Sequence, residues 1–219
     1  QPEKILAATD AQSKILFICS PNNPSGNAAK REDIQYLLEN FSGIVVVDEA
    51  YIDFSETASL LTVLNQHPNL LVMQTLSKAW GLASLRLGMA FASPELIRVL
   101  NQIKPPYNIS GLTQETVLSA LQNKGKVDEF IQLILEEREF LRKELEKLPY
   151  ILRVHPSDAN FLLVQVPDAN RFYDGLIEEK VIVRNRSTVL HCEGCLRITV
   201  GTRDETLALL QAFEKIATN

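Results

Sequence analysis

Three short apolar runs, at residues 14–19, 43–48 and 70–75, constrain the fold of this chain more than any other feature. Each run consists mainly of Val, Ile, Leu and other apolar residues, which is typical of strands that are buried on both faces. A helical pattern over residues 29–40 separates the first two runs. Strand, helix and strand at this spacing predict a β-α-β unit, so we expect an α/β fold with a mostly parallel sheet flanked by helices.

The rest of the chain predicts a second, smaller α/β domain. Two consecutive prolines, Pro105 and Pro106, mark the expected boundary, which divides the chain into residues 1–107 and 108–219. The further expected strands are 87–92, 151–155, 160–166, 181–184 and 196–200, and the further expected helices are one starting at Pro94, then 113–122, 127–148, 169–179 and one opened by the capping box 202–205. The longest of these helices carries a charged face that we interpret as solvated surface: Glu136, Glu137, Arg138, Arg142, Lys143 and Glu144.

Charge and hydropathy exclude two classes of partner. The 219 residues include 22 Lys and Arg against 27 Asp and Glu, for a net charge of −5, so the basic surface of a nucleic-acid-binding protein is not expected. No apolar run is long enough to span a membrane. The sequence begins at Gln1 and shows no signal peptide, so we expect a cytoplasmic protein.

The three cysteines, Cys19, Cys192 and Cys195, include one C-x-x-C pair. A structural zinc site needs four ligands, and only His191 lies near this pair in the sequence. A redox-active pair would open a helix after a strand, whereas this pair precedes an expected strand. We therefore expect reduced thiols and no metal site.

Polar side chains follow each of the three early strands. Asn23 follows the first, Asp48 and Tyr51 follow the second, and Thr75, Ser77 and Lys78 follow the third. Ligands of open α/β sheets bind beyond the carboxyl ends of the strands, so these side chains are expected to form one site.

Two of these residues point to one cofactor. Asp48 directly follows a buried run, so its carboxylate needs a cationic partner, and Lys78 lies among apolar residues whose burial would lower the pKa of its amine. Pyridoxal phosphate needs a lysine for its Schiff base and an acid beside its pyridine nitrogen. Arg86, with the Thr75 and Ser77 hydroxyls, supplies the groups that bind a phosphate dianion. Taken singly, each residue also has an ordinary interpretation as a cap, turn, core or surface ion-pair residue.

Four motifs carry a family resemblance: Asn23-Pro-Ser-Gly26, Asp48-Glu-Ala-Tyr51, Ser77-Lys-Ala-Trp-Gly81 with Arg86, and Leu196-Arg-Ile-Thr199. Together they resemble the fold-type I, pyridoxal-phosphate-dependent aminotransferases over nearly the whole chain. Longer matches, in residues 20–26, 48–54, 104–108 and 195–201, resemble the histidinol-phosphate branch of that family.

The resemblance implies a role for each matched residue. Lys78 would form the Schiff base and then transfer protons, Asp48 would pair with the pyridinium nitrogen, and Asn23 and Tyr51 would hydrogen-bond the phenolate oxygen. Arg86 with Thr75 or Ser77 would hold the cofactor phosphate. Arg197 would bind a substrate carboxylate, and Arg184 would bind the phosphate or distal carboxylate, although a surface ion pair fits Arg184 equally well.

The resemblance also implies a homodimer, an amino donor and a 2-oxo acid as substrates, and a transamination of L-histidinol phosphate with 2-oxoglutarate. Members of the family have a long segment before the Asn-Pro-x-Gly motif, whereas 22 residues precede Asn23 here. Three alternatives therefore stay open: an aminotransferase for aromatic amino acids, an amino-acid-phosphate decarboxylase of the same fold, and an inactive fragment of such an enzyme. A dinucleotide-dependent dehydrogenase is not expected, because no G-x-G-x-x-G motif follows a strand.

Overall fold

The computed structural model describes residues 1–218, which divide into two compact units. The first unit comprises residues 1–22 and 28–128, and the second comprises residues 23–27 and 129–219. The division between these units falls after residue 128, within the helix Lys124–Glu146. The assignment of residues 1–107 to a cofactor-binding domain and of 108–219 to a small domain stays a prediction.

The first unit is built on a four-stranded mixed sheet. Its strands are β1 (Ile15–Cys19), β2 (Ile44–Asp48), β3 (Leu70–Thr75) and β4 (Gly88–Ala92), in that spatial order. The first three are parallel and β4 is antiparallel to β3. The predicted α/β class with a mostly parallel sheet is confirmed.

Helices and short 3-10 segments connect these strands. The α-helices are α1 (Pro2–Ala7), α2 (Arg31–Asn40), α3 (Pro94–Ile103) and α4 (Gly111–Leu121), and the 3-10 segments are Ile52–Phe54, Leu60–Gln66 and Ala83–Leu85. Helix α2 and the second 3-10 segment pack on one face of the sheet, around Ile34, Val45, Val47, Leu60 and Leu70.

Strand β1 differs from the prediction that all three early strands are buried on both faces. Val45, Val46 and Val47 of β2 are buried, but Ile15 and Phe17 of β1 are 51% and 65% exposed. The prediction was wrong for β1, the edge strand, because only one face of this strand is covered. Leu16 and Ile18 pack against the core, whereas Ile15 and Phe17 lie on the opposite, exposed face.

One glycine permits the close pairing of β1 with β2. Gly43 directly precedes β2, and a Cβ atom at this position would lie 2.3 Å from the carbonyl oxygen of Lys14. The next residue, Ile44, donates its N–H to the same oxygen at 2.9 Å. Only a residue without a side chain fits this approach.

The second unit packs three helices on one face of an antiparallel sheet. Its strands are β5 (Arg153–Val154), β6 (Phe161–Gln165), β7 (Arg184–Asn185) and β8 (Cys195–Thr199), in the spatial order β5-β6-β8-β7. Helix α5 (Lys124–Glu146) crosses the division between the units, and α6 (Ala169–Glu178) and α7 (Arg203–Thr218) complete the layer. Side chains from the helices and the sheet form the core, including Leu145, Leu176, Leu196 and Phe213.

Two details of the second unit test local predictions. The capping box is confirmed, because Glu205 accepts the N–H of Thr202 at 2.7 Å and the N–H of Glu205 donates to the Thr202 hydroxyl at 3.3 Å. The strand predicted over residues 181–184 was wrong in its extent, because the strand begins at Arg184. Residues 181–183 are apolar, but only Arg184 and Asn185 pair with β8.

The charged face of α5 is less solvated than predicted. Arg138 donates to the carbonyl oxygen of Ala159 at 2.8 Å, and Glu137 forms an ion pair with Arg203 at 2.8 Å. The Arg203 guanidinium also lies 3.6 Å from the centroid of the Phe140 ring. These contacts join α5 to the β6 region and to α7.

None of the helices within residues 1–218 combines the length and apolar character needed to cross a membrane.

Candidate active site

The carboxyl ends of the parallel strands share one edge of the first unit. Cys19, Asp48 and Met73 are aligned across β1, β2 and β3, and Thr75 lies two residues beyond Met73 at the end of β3. The predicted placement of Asp48 and Thr75 at strand ends is therefore observed.

Asp48 is held at the end of β2 by its own backbone and side chain. Its carbonyl oxygen accepts the N–H of Ser20 at 2.9 Å, and its Oδ1 accepts the N–H of Ala50 at 2.9 Å. The side chain is half-buried, so the second carboxylate oxygen can face a ligand. Burial, together with the nearby Asp48 charge, raises the pKa of the Cys19 thiol above its usual range. Sequence reasoning gave Cys19 no place in this site, and only the β1–β2 register reveals it.

Lys78 and Tyr51 come together although 26 residues, including all of β3, separate them in the sequence. The Lys78 Nζ lies 5.2 Å from the centroid of the Tyr51 ring, within the range of a cation–π contact. Tyr51 is buried, whereas Lys78 is exposed. The sequence left open whether the Lys78 amine is desolvated or solvated, and within the described residues the Lys78 side chain is exposed.

The hydroxyls of the two candidate phosphate ligands, Thr75 and Ser77, differ in the hydrogen bonds that they already make within the protein. The Thr75 hydroxyl donates to the Leu87 carbonyl oxygen at 3.2 Å and accepts the N–H of Ser77 at 3.1 Å. Within residues 1–218 no hydrogen bond engages the Ser77 hydroxyl. Ser77 is therefore better placed than Thr75 to bind an anion.

Arg86 combines an exposed guanidinium with an unusual backbone. Its φ of 53° and ψ of 40° lie in the left-handed region, which costs a non-glycine residue about 1–2 kcal/mol. One guanidinium nitrogen donates to the carbonyl oxygen of Ala83 at 3.0 Å. A non-glycine residue in such a conformation is a candidate for function.

Three predicted residues belong to the second unit: Asn23, Arg184 and Arg197. The Arg197 Nη1 donates to the Asn23 Oδ1 at 2.8 Å, and the Arg197 guanidinium lies 5.0 Å from the Phe161 ring centroid. Arg184 in β7 is directly opposite Arg197 in β8. Cross-strand partners have side chains on the same face, so two guanidinium groups share this part of the sheet.

The Asn-Pro-Ser-Gly motif is anchored in the same unit. Gly26 has a φ of 85°, and a Cβ atom there would lie 2.6 Å from the Ser157 hydroxyl oxygen. The Gly26 carbonyl oxygen accepts the N–H of Asp158 at 2.8 Å. The glycine thus permits the close approach that holds Asn23 near Arg197.

The C-x-x-C pair is a packed element of the second unit. Cys192 and Cys195 are free and buried, and they cluster with Leu163 and Val189. Burial raises the pKa of both thiols, which disfavours the reactive thiolate.

The motifs and this fold define a class of protein. The family model for aminotransferase class I and II matches residues 2–213. The chain belongs to the aminotransferase class I and II family.

Individual relatives are similar over the whole chain. The histidinol-phosphate aminotransferase of Cytophaga hutchinsonii is 55% identical over 212 residues, which are 97% of this chain and 61% of the relative. The chain thus spans about three fifths of the length of this curated relative.

Two crystal structures share the fold of this chain. The histidinol-phosphate aminotransferase from Clostridium acetobutylicum has a TM-score of 0.93 at 21% identity, covering 100% of this chain and 68% of that one. The enzyme from Sinorhizobium meliloti in complex with pyridoxal-5'-phosphate has a TM-score of 0.90 at 22% identity, covering 100% and 61%.

Proposed function

We propose that this chain serves in a pyridoxal-phosphate-dependent transamination between L-histidinol phosphate and 2-oxoglutarate. The products are imidazole acetol phosphate and L-glutamate, and the reaction belongs to histidine biosynthesis. Support for the substrate comes from the 55% identity to a histidinol-phosphate aminotransferase. Support for the chemistry comes chiefly from one observation, the Lys78 amine over the Tyr51 ring in the unit where Asp48 ends β2.

The residues of the first unit fit the cofactor. An exposed primary amine, a half-buried carboxylate, a hydroxyl that makes no hydrogen bond within residues 1–218 and an exposed guanidinium are the groups that a pyridine aldehyde phosphate requires. We assign these roles to Lys78, Asp48, Ser77 and Arg86. Thr75 supports the Ser77 backbone, and Tyr51 donates to the phenolate oxygen. The same role for Asn23, which belongs to the second unit, stays a prediction.

The chemistry of the chain's own groups follows from these assignments. Bound pyridoxal phosphate supplies an electron sink for the carbanion formed at the substrate α-carbon. Asp48 holds a proton on the pyridine nitrogen by placing a negative charge beside it. The Lys78 Nζ would accept a proton from the substrate and return it at a neighbouring atom. Tyr51 limits the movement of this amine by keeping it over its ring.

The two arginines of the second unit fit anionic substrates. Arg184 and Arg197 are opposite each other, so two positive charges are concentrated on this part of the sheet, which favours the approach of an anion. We assign the substrate carboxylate of glutamate or 2-oxoglutarate to Arg197, because a guanidinium binds a carboxylate with two parallel hydrogen bonds. We assign the phosphate or distal carboxylate to Arg184.

We further propose a homodimer in the cytoplasm. Apolar side chains of the first unit are exposed around α3 and α4, and a second copy would cover them: Ile103, Tyr107, Leu112 and Leu118. The free cysteines are consistent with a reducing compartment. Sedimentation velocity over a concentration series would show a monomer throughout if the dimer is wrong.

The proposed function is tested by adding pyridoxal phosphate to the chain and to Lys78→Ala. We expect an absorbance band near roughly 410–430 nm that resists dialysis and is absent from the variant. After borohydride reduction, peptide mass spectrometry should find the added mass on Lys78. Lys30→Ala removes an exposed lysine of the same unit and should leave the band unchanged.

Substrate choice is read from the same band. Addition of L-histidinol phosphate or L-glutamate should bleach it, and 2-oxoglutarate should restore it. Bleaching by aromatic amino acids in preference to histidinol phosphate would favour an aromatic aminotransferase, and release of carbon dioxide would favour a decarboxylase. Equal labelling of Lys30 and Lys78, or no band in any sample, would contradict the proposal.

A further inference from the structure

Glu49 is a buried carboxylate that the proposed chemistry does not use. Glu49 directly follows Asp48 in the sequence, and it is 2% exposed. The Oε1 atom accepts the N–H of Leu60 at 2.7 Å. The Oε2 atom accepts the Ser59 hydroxyl at 2.6 Å and the Gln74 side-chain amide at 2.9 Å. All three donors are neutral, although a buried charge is expensive unless it is well paired.

The donors connect Glu49 to two segments that are distant in sequence. Ser59 and Leu60 begin the second 3-10 segment, where the Ser59 hydroxyl also accepts the N–H of Leu61. Gln74 is in β3 and directly precedes Thr75. The backbone N–H of Glu49 adds a bond of 2.8 Å to the carbonyl oxygen of Met73. One side chain therefore ties the end of β2 to the end of β3.

We propose that Glu49 is a positioning residue that fixes the end of β2, with Asp48 and Tyr51, against the end of β3, with Ser77 and Lys78. This inference rests on the proposed function, because it assigns those groups to the cofactor. Apolar packing would stabilise the same place without the cost of a buried charge. A carboxylate offers something different: two oxygens at a fixed separation that accept hydrogen bonds from two segments at once.

Glu49→Gln keeps the shape and removes this property. An amide has one acceptor oxygen, so its NH2 group must face either the Leu60 N–H or the Ser59 and Gln74 donors. The Leu60 donor belongs to the backbone and cannot rotate away. We expect the two strand ends to lose their fixed spacing, while the rest of the sheet is retained.

Asn69→Ala is the matched control. The Asn69 amide donates to the carbonyl oxygens of Leu38, Phe41 and Gly43 at 3.0, 3.4 and 3.4 Å. It is also a partly buried side chain that joins separate segments of this unit. It precedes β3, ~16 Å from Gln74 along the strand. Any effect of general destabilisation should be common to both variants.

The first measurement is amide hydrogen exchange of the chain without cofactor. In Glu49→Gln, peptides covering residues 48–52, 59–61 and 74–78 should exchange about tenfold faster. Asn69→Ala is measured at a temperature that lies as far below its own Tm as that used for Glu49→Gln. Under these conditions the same peptides should exchange at wild-type rates in Asn69→Ala, while the peptides around residues 38–44 exchange faster. Ser59→Ala removes one donor and keeps the carboxylate, so it should show a smaller change in the same peptides, and it decides the question if Glu49→Gln does not fold.

The second measurement adds pyridoxal phosphate. Glu49→Gln should weaken its Kd by about tenfold and shift the pH midpoint of the visible band, whereas Asn69→Ala should change neither. Equal exchange and equal cofactor affinity in the two variants would show that Glu49 is only structural and would overturn the inference. A wild-type chain that binds no cofactor would contradict the proposed function instead, and the exchange pattern would still decide whether Glu49 couples the strand ends.

Discussion

Asn23 and Arg197, 174 positions apart in the sequence, are joined by a hydrogen bond of 2.8 Å from the Arg197 Nη1 to the Asn23 Oδ1. This hydrogen bond involves one guanidinium nitrogen of Arg197 and fixes the orientation of the guanidinium plane. A planar donor group binds a carboxylate well only in the correct orientation. If Arg197 binds the substrate carboxylate as proposed, the Asn23 amide orients that guanidinium without touching the carboxylate itself.

Removal of this amide should weaken carboxylate binding. We expect Asn23→Ala to lower the affinity for a dicarboxylate inhibitor about tenfold, which corresponds to the loss of about 1.5 kcal/mol from a hydrogen bond to a charged group. Isothermal titration calorimetry with maleate, a dicarboxylate, measures this affinity. Asn170→Ala removes another exposed asparagine whose Oδ1 accepts a bond of 2.8 Å, here from Asn185, and should leave the affinity unchanged. Equal affinities in all three proteins would refute the orienting role.

The facing guanidinium groups predict an exchange of stability for anion affinity. Arg184→Gln should raise the free energy of unfolding by about 0.2–1 kcal/mol at low salt, because it removes a like-charge pair, and the gain should shrink in high salt. Phosphate should raise the Tm of the wild type more than that of the variant.

Lys126→Gln is the control for the loss of one positive charge, since Lys126 is exposed and lies in the first unit. It should not stabilise a chain whose net charge is already −5. If Arg184→Gln is no more stable than Lys126→Gln at low salt, the two arginines do not repel each other.

Backbone strain at Arg86 predicts that a substitution there gains stability and loses ligand affinity, as at Arg184. Arg86→Gly should stabilise the chain without cofactor by about 1 kcal/mol, because glycine adopts a positive φ freely, and should weaken pyridoxal phosphate binding. Lys180 has a φ of 64°, so Lys180→Gly should give the same stabilisation with unchanged cofactor affinity. Thermal unfolding and cofactor titration measure both. A cofactor affinity that is unchanged in Arg86→Gly would remove Arg86 from the site.

The positions of Asp48 and Thr75 were predictable because each residue ends a mainly apolar run, and polar side chains appear where a buried strand reaches the edge of the core. The family was predictable because its motifs are local in sequence. The assigned roles of Lys78, Asp48 and Arg86 stay predictions, because they concern a group that binds to the chain rather than its fold.

Other features depend on contacts that no local pattern reveals. Residues 181–183 resemble a strand, yet pairing with β8 begins only at Arg184. Arg138 belongs to a charged helix face by its spacing, but its guanidinium reaches the Ala159 carbonyl oxygen. Glu49 is a charged residue in a loop motif, and its burial follows from Ser59 and Gln74, which are 10 and 25 residues away. Such residues are placed by tertiary partners rather than by their own neighbourhood.

Cys19 provides a chemical probe of the Asp48 end of the sheet. It is exposed, whereas Cys192 and Cys195 are buried, so iodoacetamide should label Cys19 alone in the folded chain. Because partial desolvation of the thiol and the Asp48 charge raise the pKa of Cys19, less thiolate is present at a given pH than in a free cysteine. The midpoint of the rate against pH should therefore lie above that of a cysteine peptide.

The Asp48 contribution can be separated from burial. Asp48→Asn removes the negative charge, so the midpoint for Cys19 should fall part of the way toward that of the peptide, and the rate at pH 8 should rise. Pyridoxal phosphate should slow the labelling of the wild type by covering this edge of the sheet, and Cys19→Ser should abolish it. A midpoint that does not move in Asp48→Asn would mean that the carboxylate lies too far from β1 to act on the thiol, since a charge at the aligned position must favour the neutral form.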